Sequence, residues 1–239
     1  MGEPMLRWSK GGTAGPSRPQ CRRMRPAVEE DRGFIRPQTA PLLVMVDMQR
    51  EYVEEGRPLY LHEIDGSLAR CKALLDTARA RNWDVAHVFW RCSGPLFNPR
   101  TPYWEAIDGF HARATSEKVF FKSEPSAYSS ETFARMMADR QPAVTYLAGY
   151  QGTLACLWTM VDAHERGHDM VFVGDGSHSA ATDAAGEAQT HSTLVEIVRQ
   201  FADVVSVQEV VGENEGTARP MAETGADLMD RPVLAARAV

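Results

Sequence analysis

From Pro41 onward the sequence alternates short, continuous apolar runs with stretches whose apolar residues recur at helical spacing, and this alternation limits the fold more than any other feature. Leu42-Leu43-Val44-Met45-Val46-Asp47 reads as a buried strand ending in a carboxylate, and Asp84-Val85-Ala86-His87-Val88-Phe89-Trp90 as a second strand. Between them, residues 66–81 carry Leu68, Cys71, Leu74, Leu75 and Ala78 at helical spacing. Further strands are predicted at 118–121, 143–148, 169–174 and 203–207, and further helices at 129–140, 156–166 and 186–201. Strands that are apolar throughout, rather than alternating, belong in a parallel sheet covered on both faces. The expected fold is a three-layer α/β/α sandwich with a mainly parallel sheet of about six strands.

Residues 1–40 and 212–239 stand apart from this pattern. The first segment is rich in Gly, Pro and Arg without apolar periodicity, which predicts a disordered extension; the second is read as a C-terminal tail. The folded domain is therefore expected over 41–211. Of the full chain's 239 residues 44% are hydrophobic, enough for one sizeable core. Lys+Arg numbers 26 against 32 Asp+Glu, a formal charge of −6, which argues against nucleic acid or an anionic membrane as the main partner. No apolar run, 42–47 and 143–148 included, comes near the roughly 20 residues that cross a bilayer. Cys21, Cys71, Cys92 and Cys156 show neither CxxC spacing nor a Cys/His zinc pattern. The expectation is a cytoplasmic protein acting on a small molecule, with one thiol free for chemistry.

In parallel sheets of this kind, ligands bind beyond the carboxyl ends of the strands. Three residues reach that rim by sequence position: Asp47 closes the first strand, Lys122 closes the third, and Cys156 opens the helix after the fourth. A thiol at a helix N-terminus feels the positive end of the helix dipole, and backbone N–H groups of the preceding Gly149–Ala155 turn can hold an oxyanion. Singly, each residue has a plain reading: a buried small hydrophobe for Cys156, a loop cap for Asp47, a solvated cation for Lys122. Together they compose a nucleophile, a base and a charge that favours both their ionised forms.

The same stretches resemble the isochorismatase-like cysteine hydrolases. Val44-Met45-Val46-Asp47-Met48-Gln49 looks like that family's strand-ending Asp-x-Gln motif, and Lys122 with Ser126-Ala127-Tyr128 resembles its Lys-x-x-x-Ser-Ala-Phe segment. Gly149 through Cys156 resembles the Gly-rich turn that carries the nucleophile. Asp162-Ala163, Gly167-His168, Asp175, Ser179 and His191 follow in the family's order. The resemblance implies a catalytic triad of Asp47, Lys122 and Cys156, with oxyanion donors on Gly152 and Cys156 and a cis peptide at Gln151–Gly152. Members that keep the cysteine mostly hydrolyse C–N bonds of amides and ureido compounds through a thioester. Members that cleave the vinyl ether of isochorismate typically lack it. The resemblance also implies a homo-oligomer, a dimer or larger.

Two departures from the family pattern stand out. The turn before Cys156 is one residue longer than the family's, and Trp158 is bulky for its position. The metal-binding Asp-x-His pair of one family branch is absent after the second strand, so neither metal nor cofactor is expected, and His87 reads as a packed core histidine. The long stretch 91–116, with Arg91, Phe97, Arg100, Tyr103, Trp104 and His111, is either a substrate cover or a segment that packs a dimer interface or the loop itself. Trp90, Arg91, Tyr128, Tyr150 and Gln151 are the candidate substrate-lining residues. Three readings follow: a cysteine amidohydrolase first, a vinyl ether hydrolase using Asp47 as general acid second, a non-catalytic binding protein on the same scaffold third.

Overall fold

The computed structural model describes residues 40–140 and 144–212. The expected N-terminal extension and C-terminal tail therefore lie outside the described residues, apart from Ala40 and Gly212. Six strands, β1 (Leu42–Val46), β2 (Asp84–Trp90), β3 (Glu117–Lys122), β4 (Thr145–Gly149), β5 (Met170–Ser177) and β6 (Val204–Val205), form one sheet in the order β3-β2-β1-β4-β5-β6. All five pairings are parallel. The strand order reverses between β1 and β4, which makes the crevice above those two strands the switch point where such sheets take their ligands.

Successive β1 residues face opposite layers, and both layers are apolar. Leu43 and Met45 join a core with α1 (Asp65–Ala80) and α5 (Val207–Gly212), contributed by Leu74, Leu75 and Val210 among others. Leu42, Val44 and Val46 join a second core with α2 (Glu131–Asp139), α3 (Leu157–Glu165) and α4 (Glu187–Val198), through Phe133, Met160 and Leu194. Each such side chain taken fully from water contributes about 1.5–3 kcal/mol, so a central strand buried on both faces is a rigid platform for whatever sits at its end.

Several boundaries shift from the sequence expectation, the last strand shrinking from 203–207 to Val204–Val205, and three further differences matter more. α5 was not anticipated, being a single short segment packed beside α1. β5 runs on to Ser177, past the predicted end at 174, through an irregularity in its pairing with β4. The turn before α3 is not an irregular loop: residues Gly152–Cys156 form one π-helical turn, closed by the Cys156 N–H donating to the Gln151 carbonyl at 3.2 Å. That wider turn absorbs the extra residue. The cis peptide falls at Tyr150–Gln151, one bond earlier than expected. No helix of the described residues is long and apolar enough to cross a membrane.

Candidate active site

Asp47 follows β1 directly and adopts a left-handed backbone, φ 47°, a conformation that Asp tolerates better than most residues. Its N–H still donates to the Val88 carbonyl at 2.8 Å, so the chain turns off the sheet with the carboxylate held at the rim. Gln49 fixes the neighbouring strand end: its amide accepts from the Trp90 N–H at 2.8 Å and donates to the Trp90 and Trp104 carbonyls at 3.0 and 2.8 Å. This is the physical content of the Asp-x-Gln motif. One side chain supplies the chemistry and the other ties β1 to β2.

Lys122 starts two strands away from Asp47. Trp90 and Lys122 are register partners on β2 and β3, and the Lys122 ammonium passes 3.8 Å from the centroid of the Trp90 ring to reach Asp47 Oδ2 at 2.7 Å. Both side chains of this ion pair are 0% exposed. Lys122 Nζ also donates to the Pro125 carbonyl at 2.9 Å, the Ser126 hydroxyl accepts from the Tyr128 N–H, and the Ala127 N–H donates to Thr159 on α3 at 2.9 Å. The segment after β3 thus locks the lysine head and docks on the helix that carries Cys156.

Cys156 ends the π turn at the head of α3 and is fully buried. Its Sγ donates to the Gly149 carbonyl at 3.4 Å, and the Ser177 hydroxyl donates to the sulfur at 3.7 Å. Two close approaches of backbone set the turn. A Cβ on Gly149, φ 121°, would stand 2.1 Å from the Val46 carbonyl oxygen, so only glycine fits there. A Cβ on Gly152 would meet Ser179 Oγ at 2.6 Å and the Leu194 side chain at 2.7 Å. Ser179 in turn donates to His191 Nδ1 at 3.2 Å, while His191 Nε2 donates to the Gly174 carbonyl at 2.8 Å. The family-like Ser179 and His191 are braces for the nucleophile turn. Asp175 belongs to the packing of α5, accepting from the Val207 N–H at 2.7 Å.

Electrostatics follows from burial. Desolvation raises the Asp47 carboxyl to about 6, against the opposing pull of Lys122. Desolvation also lowers the Lys122 ammonium, with Asp47 and Cys156 resisting. Burial pushes the Cys156 thiol up to about 12; the Ser177 hydrogen bond lowers it, the Asp47 charge raises it further and the Lys122 charge lowers it. The three groups are therefore close enough to perturb one another. At neutral pH the sulfur is a thiol, and attack requires a base beside it. Asp47 Oδ1 has no hydrogen-bond partner among the described residues.

The lining residues expected from sequence divide. Trp90 is at the site, beneath Lys122 and stacked on Phe97 at 5.5 Å. Gln151 is in the turn itself. For Tyr150 and Tyr128 the structure gives the direction of the polar ends: the Tyr150 hydroxyl bonds Ser67 on α1 at 3.0 Å, and the Tyr128 hydroxyl bonds His168 at 2.7 Å while its ring packs against Phe133. The Arg91 guanidinium lies 4.9 Å from the centroid of the Phe121 ring. The oxyanion expectation also changes, because the Gly152 N–H donates to the His178 carbonyl at 2.7 Å and the Cys156 N–H to Gln151. Trp158 is 54% exposed and leaves the site clear. Within 91–116, Phe97 alone of the residues singled out is fully in the core beneath the site. Trp104 donates to the Trp90 carbonyl, Tyr103 lies under Arg57, and the His111 carbonyl accepts from Arg79, so most of the loop is self-packing. Sequence reasoning missed Ser177 and Tyr52 as members of this neighbourhood; the position of Tyr52 just after β1 and the Asp-x-Gln motif was the available signal.

A parallel sheet with a carboxylate, a lysine and a cysteine at its switch point defines a class of α/β hydrolytic enzyme, and the comparisons specify it. The Isochorismatase domain profile matches residues 41–209, and the chain belongs to the isochorismatase family of hydrolases. Solved structures agree in fold. An isochorismatase from Pseudomonas putida KT2440 is 24% identical, with 72% of this chain and 90% of that chain covered and a TM-score of 0.62. A cysteine hydrolase from Pseudomonas syringae pv. phaseolicola 1448A is 16% identical, covering 82% and 97%, with a TM-score of 0.65. An isochorismatase family protein from Desulfovibrio vulgaris subsp. vulgaris str. Hildenborough is 23% identical, covering 73% and 100%, with a TM-score of 0.61. No curated protein gives a significant match.

Proposed function

We propose that this chain is a cysteine-dependent amidohydrolase that cleaves a C–N bond of a small amide, carbamoyl or ureido compound through a thioester. The observation that carries the reading is the fully buried Asp47–Lys122 ion pair at 2.7 Å beside a buried thiol whose ionisation both charges influence. An ion pair removed from water is costly, and a binding module gains little from it. As a base, Asp47 acts where its carboxyl, raised to about 6, is ionised near neutral pH yet still accepts a proton readily.

In this mechanism the Cys156 proton passes to Asp47 as sulfur attacks the substrate carbonyl carbon. The C–N bond then breaks, Asp47 returns the proton to the departing nitrogen, and ammonia or an amine leaves. Water, deprotonated by Asp47, adds to the thioester, and the acid leaves as the thiol is restored. Lys122 holds Asp47 in place and offsets negative charge on either partner; Ser177 donates to the sulfur.

Ammonia release from a panel of amides, carbamoyl compounds and ureido acids tests the substrate class, and iodoacetamide inactivation with the adduct on Cys156 tests the nucleophile. Full activity of Cys156→Ala would defeat the reading. It would favour instead vinyl ether hydrolysis with Asp47 as general acid, a reading that the same raised carboxyl supports.

A further inference from the structure

Tyr52 lies in the short helical turn Arg50–Tyr52 that follows Asp47 and Gln49, and it is 1% exposed. Its ring is wedged between Phe97, at 5.6 Å, and Tyr150, at 6.0 Å. These contacts account for the ring but not for its hydroxyl, which has no hydrogen-bond partner among the described residues. Buried hydroxyls are ordinarily paired, because an unpaired one forfeits its hydration for nothing, whereas a phenylalanine would fill the same space without that loss. The neighbouring Tyr150 shows the ordinary solution, its hydroxyl closed on Ser67 at 3.0 Å.

What surrounds the unpaired hydroxyl identifies what it waits for. The ring's two partners place it at the site: Phe97 stacks on Trp90, which lies beneath the Lys122 ammonium, and Tyr150 directly precedes the nucleophile turn, so that the Asp47 and Cys156 charges both act on the phenol. Meanwhile the two N–H groups that the turn would offer an oxyanion, those of Gly152 and Cys156, are engaged by the His178 and Gln151 carbonyls. The site therefore has a nucleophile, a base and a buried O–H donor that no described residue uses.

We propose that Tyr52 is a catalytic residue whose hydroxyl donates a hydrogen bond to the carbonyl oxygen of the substrate as that oxygen becomes an oxyanion. The role rests on the cysteine hydrolase reading. In the step concerned, sulfur bonds to the carbonyl carbon, the carbonyl π pair moves onto oxygen, and the phenol proton stays on Tyr52 while bridging to that oxygen. Collapse of the intermediate restores the carbonyl and expels the leaving group, with no net change at Tyr52. Since burial raises the phenol well above its ordinary value, it remains a donor throughout.

Two electrophiles separate this role from any other. p-Nitrophenyl acetate acylates a cysteine through a charged carbonyl oxygen, whereas iodoacetamide alkylates it by displacement, with no oxyanion. In the full chain, Tyr52→Phe is expected to slow acetylation of Cys156 by about 100-fold, the effect of losing one oxyanion donor. Its alkylation rate is expected to match wild type, and its melting temperature to equal or exceed it, because an unpaired buried hydroxyl has been removed. Acetylation at the wild-type rate would overturn the proposal. So would an equal loss of both reactions, which would assign Tyr52 to the sulfur or to packing. A wild-type chain that is alkylated at Cys156 but never acetylated would remove the thioester reading itself, and this role with it.

Discussion

Two enclosed carboxylates on the same sheet behave in opposite ways. Glu117, at the start of β3, has a side chain only 3% exposed, yet it accepts from Arg79 Nε and Nη2, from His87 Nε2 and from the Arg113 N–H at 2.7–3.0 Å. Burial alone would raise its carboxyl, but these hydrogen bonds outweigh that and lower it to about 2. Asp47, at the end of β1, has Lys122 and an unpaired Oδ1, and burial wins, lifting it to about 6. The contrast lies in saturation rather than depth. A carboxylate whose two oxygens are held by four donors is a structural anion, and one left short of donors is ready to take a proton.

Substitution at the under-satisfied site gives the largest expected effect. Asp47→Asn keeps the shape and removes the base, so acylation of Cys156 should fall by about 10²–10⁴-fold. Burst kinetics with p-nitrophenyl acetate measures it, and an unchanged acylation rate would end the comparison, since both carboxylates would then be structural.

Removing the counter-charge sharpens the same point. With Asp47 raised to about 6, kcat/KM should climb with pH through an acidic limb near that value. In Lys122→Met the carboxyl keeps its burial and loses its opposing cation, so the limb should move up by about 1–3 units and activity at neutral pH should fall accordingly. A pH profile identical to wild type would mean that Lys122 does not act on Asp47. Ser177→Ala is expected to be milder: with one hydrogen bond to sulfur gone, the thiol rises further and both acylation and alkylation of Cys156 slow by about tenfold. Equal loss in the two reactions distinguishes a residue acting on sulfur from Tyr52, which acts on the carbonyl oxygen.

The residues that could be located from sequence are those whose place follows from strand ends. Asp47, Lys122 and Cys156 each terminate or follow an apolar run, and a parallel sheet delivers all such positions to one rim. Side-chain direction was not legible in the same way. Tyr150 and Tyr128 are near the triad in sequence, but their hydroxyls end on Ser67 and His168. The π turn was also invisible, because an N–H donating five residues back leaves no mark in apolar spacing. Tyr52 was illegible for a different reason: an unpaired hydroxyl is a property of everything around it.

The smallest expected effect on activity is at the saturated carboxylate, and it is informative because stability should respond where catalysis does not. Glu117→Gln should leave acylation of Cys156 unchanged while destabilising the fold by about 2 kcal/mol, as donors from Arg79 and His87 lose their anion. Because the folded value of Glu117 is depressed, its contribution is complete above about 4.5 and disappears as pH falls through about 2. Asp47 has the opposite sign: its folded value is raised, so stability is lost as pH rises from 3.8 through about 6 and the carboxyl ionises. Denaturant unfolding across these windows should therefore show the acidic limb flattened in Glu117→Gln and kept in Asp47→Asn. A Glu117→Gln chain whose stability tracks wild type down to pH 2 would show that the hydrogen bonds, not the charge, carry the contribution, and the division between structural and reactive carboxylates would have to be redrawn.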